Sequence, residues 1–484
     1  MLGSQLLQDV LDEWARLQES VFVARQALAG LRLSRWHKNA QYPDRPFGIR
    51  AFGADYVVFP SKFFNEVKRI PITHGSILYY ARQTFDHKWS GIAAHGHDIV
   101  PVMGTDVVRA IPGLVPTRQE YCAAACDTVL GDCPDWKGIT LYAAMQELVT
   151  STTSSVFFGR ELGTNPTWIS HVGRLPMVVA GPTAVLALFP PIIRPLLKPL
   201  LYAPSMYSQF LLKRFMAPIL KEDLREYKSS TDKKSLEGPA AKGKLPVTAW
   251  LLARYGSKPA TEKQLLHRLT NDYLGLSFES TSTTILTIFF IIIELAADPE
   301  LADLVRREIK EVAPDGRLPT THLNELKIMD SVMRESVRFN PFGSMVLFRR
   351  IMKPVKLSAG PDLPVGTIIC VDSHNINFSP ELWEEPHKFD ALRHYRERQK
   401  PGKESRFKFA NLGSDSPNWG DGPQACPGRM FADNTIKIIL THILTHYDMR
   451  LVPGKGKPPK RWLPNGSAYP DSGAKVEFRS RRVV

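Results

Sequence analysis

Residues 419–432 read Trp-Gly-Asp-Gly-Pro-Gln-Ala-Cys-Pro-Gly-Arg-Met-Phe-Ala, one cysteine set among glycines and prolines. Gly420, Gly422 and Gly428 permit backbone angles that a side chain forbids, and Pro423 and Pro427 stiffen the loop around Cys426. Such a loop holds a single sulfur rigidly. From Asp433 to Leu444 polar and apolar residues alternate at helical spacing, so Cys426 is expected just before a helix N-terminus, whose free N–H groups and dipole favour a thiolate. An anionic sulfur is a metal ligand. No second Cys or His lies within the short spacing that a zinc site needs, whereas one axial thiolate suits an iron whose in-plane ligands come with a porphyrin. An isolated cysteine is more often an inert part of a core, and two motifs upstream decide between the readings.

The first spans Leu326 to Asn340, where Leu326, Met329, Val332, Met333 and Val337 recur at helical intervals and Glu335 and Arg338 stand three apart on one face. As a surface ion pair this would contribute under ~1 kcal/mol, but a β-rich stretch and then Phe389-Asp-Ala-Leu-Arg393 follow it. The second is Leu274 to Glu294, read as one apolar helix interrupted by Glu279-Ser-Thr-Ser-Thr-Thr284. Six polar residues in a buried helix need a cause. One cause is chemistry in a cavity; the other is Ser and Thr hydroxyls bonding back to the preceding turn.

Trp419-Gly-x-Gly-x-x-x-Cys426-x-Gly428 resembles the haem-binding signature of the cytochrome P450 monooxygenases, with Trp419 where the family usually has Phe and Gln424 where it usually has Arg or His. The first departure keeps an aromatic ring beside the sulfur. The second removes a cation often aimed at a haem propionate. The resemblance implies a mainly α fold with a smaller β-rich lobe, and haem (iron-protoporphyrin IX) held by Cys426 and cradled by Trp419, Gly420, Gly422, Gln424 and Gly428. It implies that Glu335, Arg338 and Arg393 lock the core beneath the haem, and that Arg349, with Arg350 beside it as the competing register, binds a propionate. Thr283 matches the family's proton-relaying threonine, and Ser282 stands where the family has an acid or amide. Glu279 lies four residues before Thr283 and faces the same way on a helix, so Glu279 or water is expected to take the missing acid's part.

The implied reaction is oxygen activation at a thiolate-bound iron, followed by attack on a C–H bond. Val156-Phe-Phe-Gly-Arg-Glu-Leu162 is similar to relatives of fungal type, which implies a lipophilic secondary metabolite, terpenoid- or alkaloid-like, as substrate. It further implies NADPH-cytochrome P450 reductase as electron donor and a place on the cytosolic face of the endoplasmic reticulum membrane, or otherwise in the cytoplasm. The alternatives are a peroxygenase or isomerase that needs no reductase, and a haem-binding protein without catalysis.

Composition agrees with a large globular core: 43% of the 484 residues are hydrophobic and 23% charged. The net charge of +14 is not gathered into a basic tail or basic-aromatic repeat, which excludes nucleic acid as the expected partner. Its densest patch, Arg393 to Lys408, leads into the cysteine loop and suits an acidic electron donor. Five cysteines without secreted-scaffold spacing fit a reducing compartment. Leu2 to Leu33 reads as amphipathic helix interrupted by Asp9, Asp12, Glu13 and Arg16, not as a membrane anchor. The expected division is therefore an amphipathic segment over 1–34 and a single catalytic domain over 35–484. Between Arg174 and Arg194 an uncharged stretch is expected to be broken by Pro176, Pro182, Pro190 and Pro191, and to touch a bilayer surface or pack in the core.

Overall fold

The computed structural model describes residues 44–51, 54–237, 243–256, 260–319, 322–459, 461–462 and 468–481. The segment expected over 1–34 lies outside the described residues. The β-rich lobe is a five-stranded sheet in the order β1 (Phe47–Ala51), β2 (Ala54–Phe59), β6 (Ile368–Asp372), β5 (Met345–Ile351), β3 (Gly75–Ser76). β2 runs parallel to β6, and the other neighbours pair antiparallel. β6, Ile-Ile-Cys-Val-Asp, is buried at every position, as a central strand must be. On β5 the register slips between Val346 and Arg349, and Leu347 takes the left-handed φ of 54°. A β-branched or bulky residue rarely adopts that angle, and a bulge of this kind re-aims the side chains after it.

The helical body has two apolar cores. In the first, α3 (Leu141–Phe158), α8 (Ser282–Ala297), α10 (Lys327–Phe339) and α11 (Arg429–His446) bury Met145, Ile288, Met333 and Ile439 against one another. In the second, α4 (Pro166–Leu186), α6 (Ala203–Ser229) and α7 (Glu262–Glu279) enclose Trp168, Val172, Leu212 and Leu269. Each such side chain contributes about 1.5–3 kcal/mol of burial, so the body fixes α7, α8, α10 and α11 relative to one another. A small sheet, β4 (Lys137–Thr140), β10 (Lys475–Ser480) and β7 (Tyr447–Leu451), closes the far end. Three further helices are α1 (Ile77–Thr84), α5 (Arg194–Leu201) and α9 (Pro299–Val312). The long helix before the first core is α2 (Val108–Val129).

Three local expectations are corrected. The central helix is not continuous: α7 ends at Glu279 and α8 begins at Ser282. There Thr281 donates to Ser277 O at 2.9 Å, Ser282 to Phe278 O at 3.2 Å and Thr284 to Ser280 O at 3.3 Å, so hydroxyls compete with the backbone ladder. Pro176 and Pro182 do not break α4, which runs through both to Leu186. Lys221 to Lys244, which its charge and its Ser, Gly and Lys content read as a solvated connection, is instead helical as far as Ser229, where α6 ends. Among the described residues two helical stretches are apolar and long enough to cross a membrane, Ile99–Val129 and Glu262–Ala297, and the most apolar part of the second is 72% buried in the protein, as a core helix is.

Candidate active site

The cysteine loop is braced from several sides. Cys426 N–H donates to Trp419 O at 2.8 Å, which closes the turn, and the Trp419 indole N–H donates to Phe409 O at 2.8 Å while its ring packs edge-on against Phe409. Gly420 and Gly422 have φ of 65° and 69°. A Cβ on Gly422 would stand 2.5 Å from Lys68 O, so no other residue fits there without moving backbone. Lys68 also pairs with Asp421 at 2.9 Å. Gln424 accepts from Ile77 N–H and donates to Gly75 O, both at 2.8 Å. The residue read as cofactor-binding therefore spends its amide on tying the loop to the start of α1.

Gly428 stands at the N-cap of α11, and the N–H groups of Gly428 and Arg429 hydrogen-bond the half-buried Cys426 sulfur. From sequence these groups are expected to favour a thiolate. Burial outweighs them and pushes the thiol up to about 11, with the nearby Glu279 charge adding to the rise. A π-helical turn over Val102–Val107, which the sequence did not signal, brings Met103 and Gly104 up to Gly428 and Pro427.

Below the loop, α10 carries Glu335 and Arg338, and both are buried. Arg338 donates to both carboxylate oxygens of Glu335, Arg393 Nε adds a third bond at 3.3 Å, and Asp390 N–H a fourth at 3.0 Å. Arg338 and Arg393 spend their other donors on the carbonyls of Asn377, Pro386 and Glu384. Burial alone would raise the Glu335 carboxyl, but Arg338 and His394 hold it at about 2. Sequence reading missed a second buried network: Lys437 of α11 bridges Asp330 of α10 and Asp433, while Arg398 holds the other Asp330 oxygen. This ties the helix behind the cysteine to the helix that bears Glu335.

Glu279 and Thr283 are exposed on helices whose neighbouring residues Thr281, Thr284 and Ile285 are buried. The Glu279 charge helps to raise the Cys426 thiol, so the end of α7 lies within electrostatic reach of the cysteine loop. Ser282, standing where an acid or amide was expected, is back-bonded to Phe278 O. Glu279 is held by His95 Nε2 at 2.9 Å, a partner 184 residues away in sequence.

Arg349 is 1% exposed, whereas Arg350 is half-buried, so Arg349 is the one of the pair turned into the protein. Its Nη1 bonds Phe348 O, its Nε and Nη2 are buried without partners, and burial lowers its pKa to about 10. Two orphaned guanidinium donors call for an anion. One thiol with two N–H donors and a buried, half-satisfied arginine form a donor set that fits haem and its carboxylate arms.

The basic run before the loop is less open than its sequence suggests. Arg393 and Arg398 are buried in the networks above, Arg396 pairs with Asp390, and Lys400 and Lys403 share Glu397.

Comparison with known proteins agrees with this geometry. A family model described as Cytochrome P450 matches residues 104–478. The chain is 50% identical over 441 residues to "Cytochrome P450 monooxygenase CYP1" of Pyricularia oryzae, covering 91% of this chain and 80% of that one. It is 61% identical over 343 residues to "Cytochrome P450 monooxygenase cheG" of Chaetomium globosum, covering 71% of this chain and all of the other. Over 444 residues it is 41% identical to the "Pyrichalasin C-18 hydroxylase" of Pyricularia grisea, 91% of this chain and 82% of that one. Among solved structures it is similar to retinoic acid bound cyanobacterial CYP120A1, with a TM-score of 0.67, 17% identity, and 92% and 93% of the two chains covered. At that identity the likeness speaks for the fold.

Proposed function

The chain belongs to the cytochrome P450 family, and from that premise we propose that it oxidises, most simply by hydroxylation, a lipophilic secondary metabolite at a C–H bond, with electrons from an NADPH-dependent reductase. It is an enzyme, a cytochrome P450 monooxygenase. The observation that carries the proposal is the braced loop that fixes Cys426, closed by its N–H bond to Trp419 O, together with the buried Arg349 whose Nε and Nη2 have no partner. Hydroxylation draws support from the pyrichalasin hydroxylase among the relatives. A terpenoid- or alkaloid-like substrate is our extension.

When bound, haem supplies oxygen activation. The chain's own residues then have separate tasks in this reading. Cys426 would bind the haem iron through its sulfur, and Trp419, Gly420, Gly422 and Gly428 hold the loop that carries it. Arg349, whose Nε and Nη2 are buried without partners, would receive a haem propionate. Gln424 acts on the loop and not on the haem. Thr283 passes protons at its hydroxyl, and Glu279 serves as the carboxylate that Ser282 cannot be. Residues 35–484 are read as one catalytic domain, which the match over 104–478 supports.

Membrane contact has a candidate surface. Leu188, Phe189, Ile192, Ile193, Leu196 and Leu200 are exposed between α4 and the end of α5, Ile192 at 85% and Leu196 at 79%. A contiguous apolar patch of this kind suits the edge of a bilayer, and the cytosolic face of the endoplasmic reticulum follows if the reductase sits there. For the reductase itself, the self-paired basic run gives less electrostatic attraction than its composition suggests.

The second reading, a peroxygenase independent of reductase, is favoured by the back-bonded Ser282. Turnover of a candidate substrate with reductase and NADPH, set against turnover with peroxide alone, separates the two. Product only with peroxide would overturn the first.

A further inference from the structure

Three residues of α7 at one-turn spacing, Asp272, Gly275 and Glu279, form a stripe on a single helix face. All three receive the segment 90–98. Gly96 N–H donates to Asp272 Oδ1 at 3.1 Å, and Tyr255 O–H fixes the other oxygen of the buried Asp272 at 2.6 Å. The His95 ring lies against Gly275, where a Cβ would meet its Cδ2 at 2.5 Å. Its Nε2 reaches Glu279 Oε1 at 2.9 Å and its Nδ1 faces Gly96 O at 2.9 Å. Both ring nitrogens face acceptors, so both carry hydrogen and the imidazole is a buried cation. From the outer side Arg82 of α1 clasps the same segment, donating to Ala93 O at 2.8 Å and His95 O at 2.9 Å, with Ala93 in the left-handed region at φ 58°.

We propose that His95 is a positioning residue for Glu279: seated on Gly275, it fixes the carboxylate at the wall of the site and latches segment 90–98 onto the central helix. Oε1 is anchored by His95, and among the described residues Oε2 has no hydrogen-bond partner, so that one oxygen can face the site in a set direction. The charged and titratable groups around the imidazole are Glu279, Asp272 and Asp98 from the acidic side and Arg82 from the other. A histidine that merely filled the core would need neither a glycine seat nor a carboxylate half exposed at the end of its hydrogen bond. The consequence for turnover rests on the reading of Glu279 given above; the latch does not.

The test uses the haem-loaded full chain and two readouts, deuterium exchange of the 92–98 backbone and peroxide released per NADPH consumed. His95→Leu and Glu279→Gln should each speed exchange of the segment about tenfold, the loss expected for a charge-assisted hydrogen bond. The double variant should be no faster than either single one. His95→Gln, which keeps an N–H donor at similar reach, should restore most of the protection, and Gly275→Ala should act like His95→Leu without altering either partner. Unchanged exchange in His95→Leu, or effects that multiply in the double variant, would overturn the proposal. If exchange follows the expected pattern while Glu279→Gln stays fully coupled, the latch stands and the proton-relay reading of Glu279 falls.

Discussion

Arg338 grips Glu335 through two hydrogen bonds, Nε to Oε2 at 2.8 Å and Nη2 to Oε1 at 2.7 Å, at a carboxylate with no solvent exposure. Two charges taken out of water are stable together only because every remaining donor finds a carbonyl or a carboxylate oxygen.

Removal of either partner should therefore be costly. Glu335→Ala or Arg338→Ala leaves an uncompensated buried charge, a loss of about 3–5 kcal/mol. The expected result is chain that expresses but retains little haem, with a denaturation midpoint far below that of the parent. A variant that keeps the parent's midpoint contradicts the network's role.

The pH dependence of stability has three parts of known sign. Glu335 sits at about 2, below its ordinary 4.5, so its stabilisation is present above pH 4.5 and is lost as pH falls through 2. Burial depresses His394 from 6.5 to about 4, despite the hydrogen bond it donates to the Glu335 carboxylate, so the fold loses stability as pH falls from 6.5 toward 4. His95 has the opposite sign. Burial opposes its charge, but Glu279 raises it to about 9, so its stabilisation is full below 6.5 and is lost as pH rises through 9. Urea midpoints measured across pH 4 to 10 should fall at both ends, and His394→Asn should flatten the limb between 6.5 and 4.

Arg349 offers a test in which two readouts move in opposite directions. In the haem-free chain Arg349→Met removes a buried cation with two orphaned donors and should leave stability unchanged or raise it. In the loaded chain the same change should speed haem transfer to an acceptor apoprotein about tenfold, the value of a charged hydrogen bond. Equal transfer rates would remove Arg349 from the cofactor site.

Much of this was legible because some chemistry constrains local sequence. The glycine and proline spacing around Cys426 and the three-residue step from Glu335 to Arg338 are written within single elements. Other features depend on residues far apart in the chain. His95 meets Glu279 across 184 positions, and the Lys437, Asp330 and Arg398 network joins three separate segments. Arg349 could not be told from Arg350 because the register of β5 depends on the slip near Leu347, and a positive φ at leucine has no signature in composition. Pro176 and Pro182 misled for a related reason. Tertiary packing of α4 keeps a helix that local rules would end.

Peripheral membrane contact should depend on the patch around α5. Ile192→Glu together with Leu196→Glu should abolish flotation of the purified chain with phospholipid vesicles and leave its haem spectrum intact. Unchanged flotation would place any contact elsewhere.

Thr283→Ala should leave haem content and substrate binding in place while peroxide release per NADPH rises several-fold, on the order of 1 kcal/mol in the partition between product and leak. Full coupling in both this variant and Glu279→Gln would remove the relay.

Under the proposed function, the Cys426 sulfur would be the ligand of the haem iron. The most direct measurement is the absorption spectrum of the reduced, carbon monoxide-bound chain, with Cys426→Ser as its partner. The parent should show the red-shifted Soret band of a thiolate-bound haem, and the serine variant should lose that band while its far-ultraviolet circular dichroism stays the same. A parent chain supplied with haem that never shows the band, or a serine variant that shows it equally, would contradict the central claim.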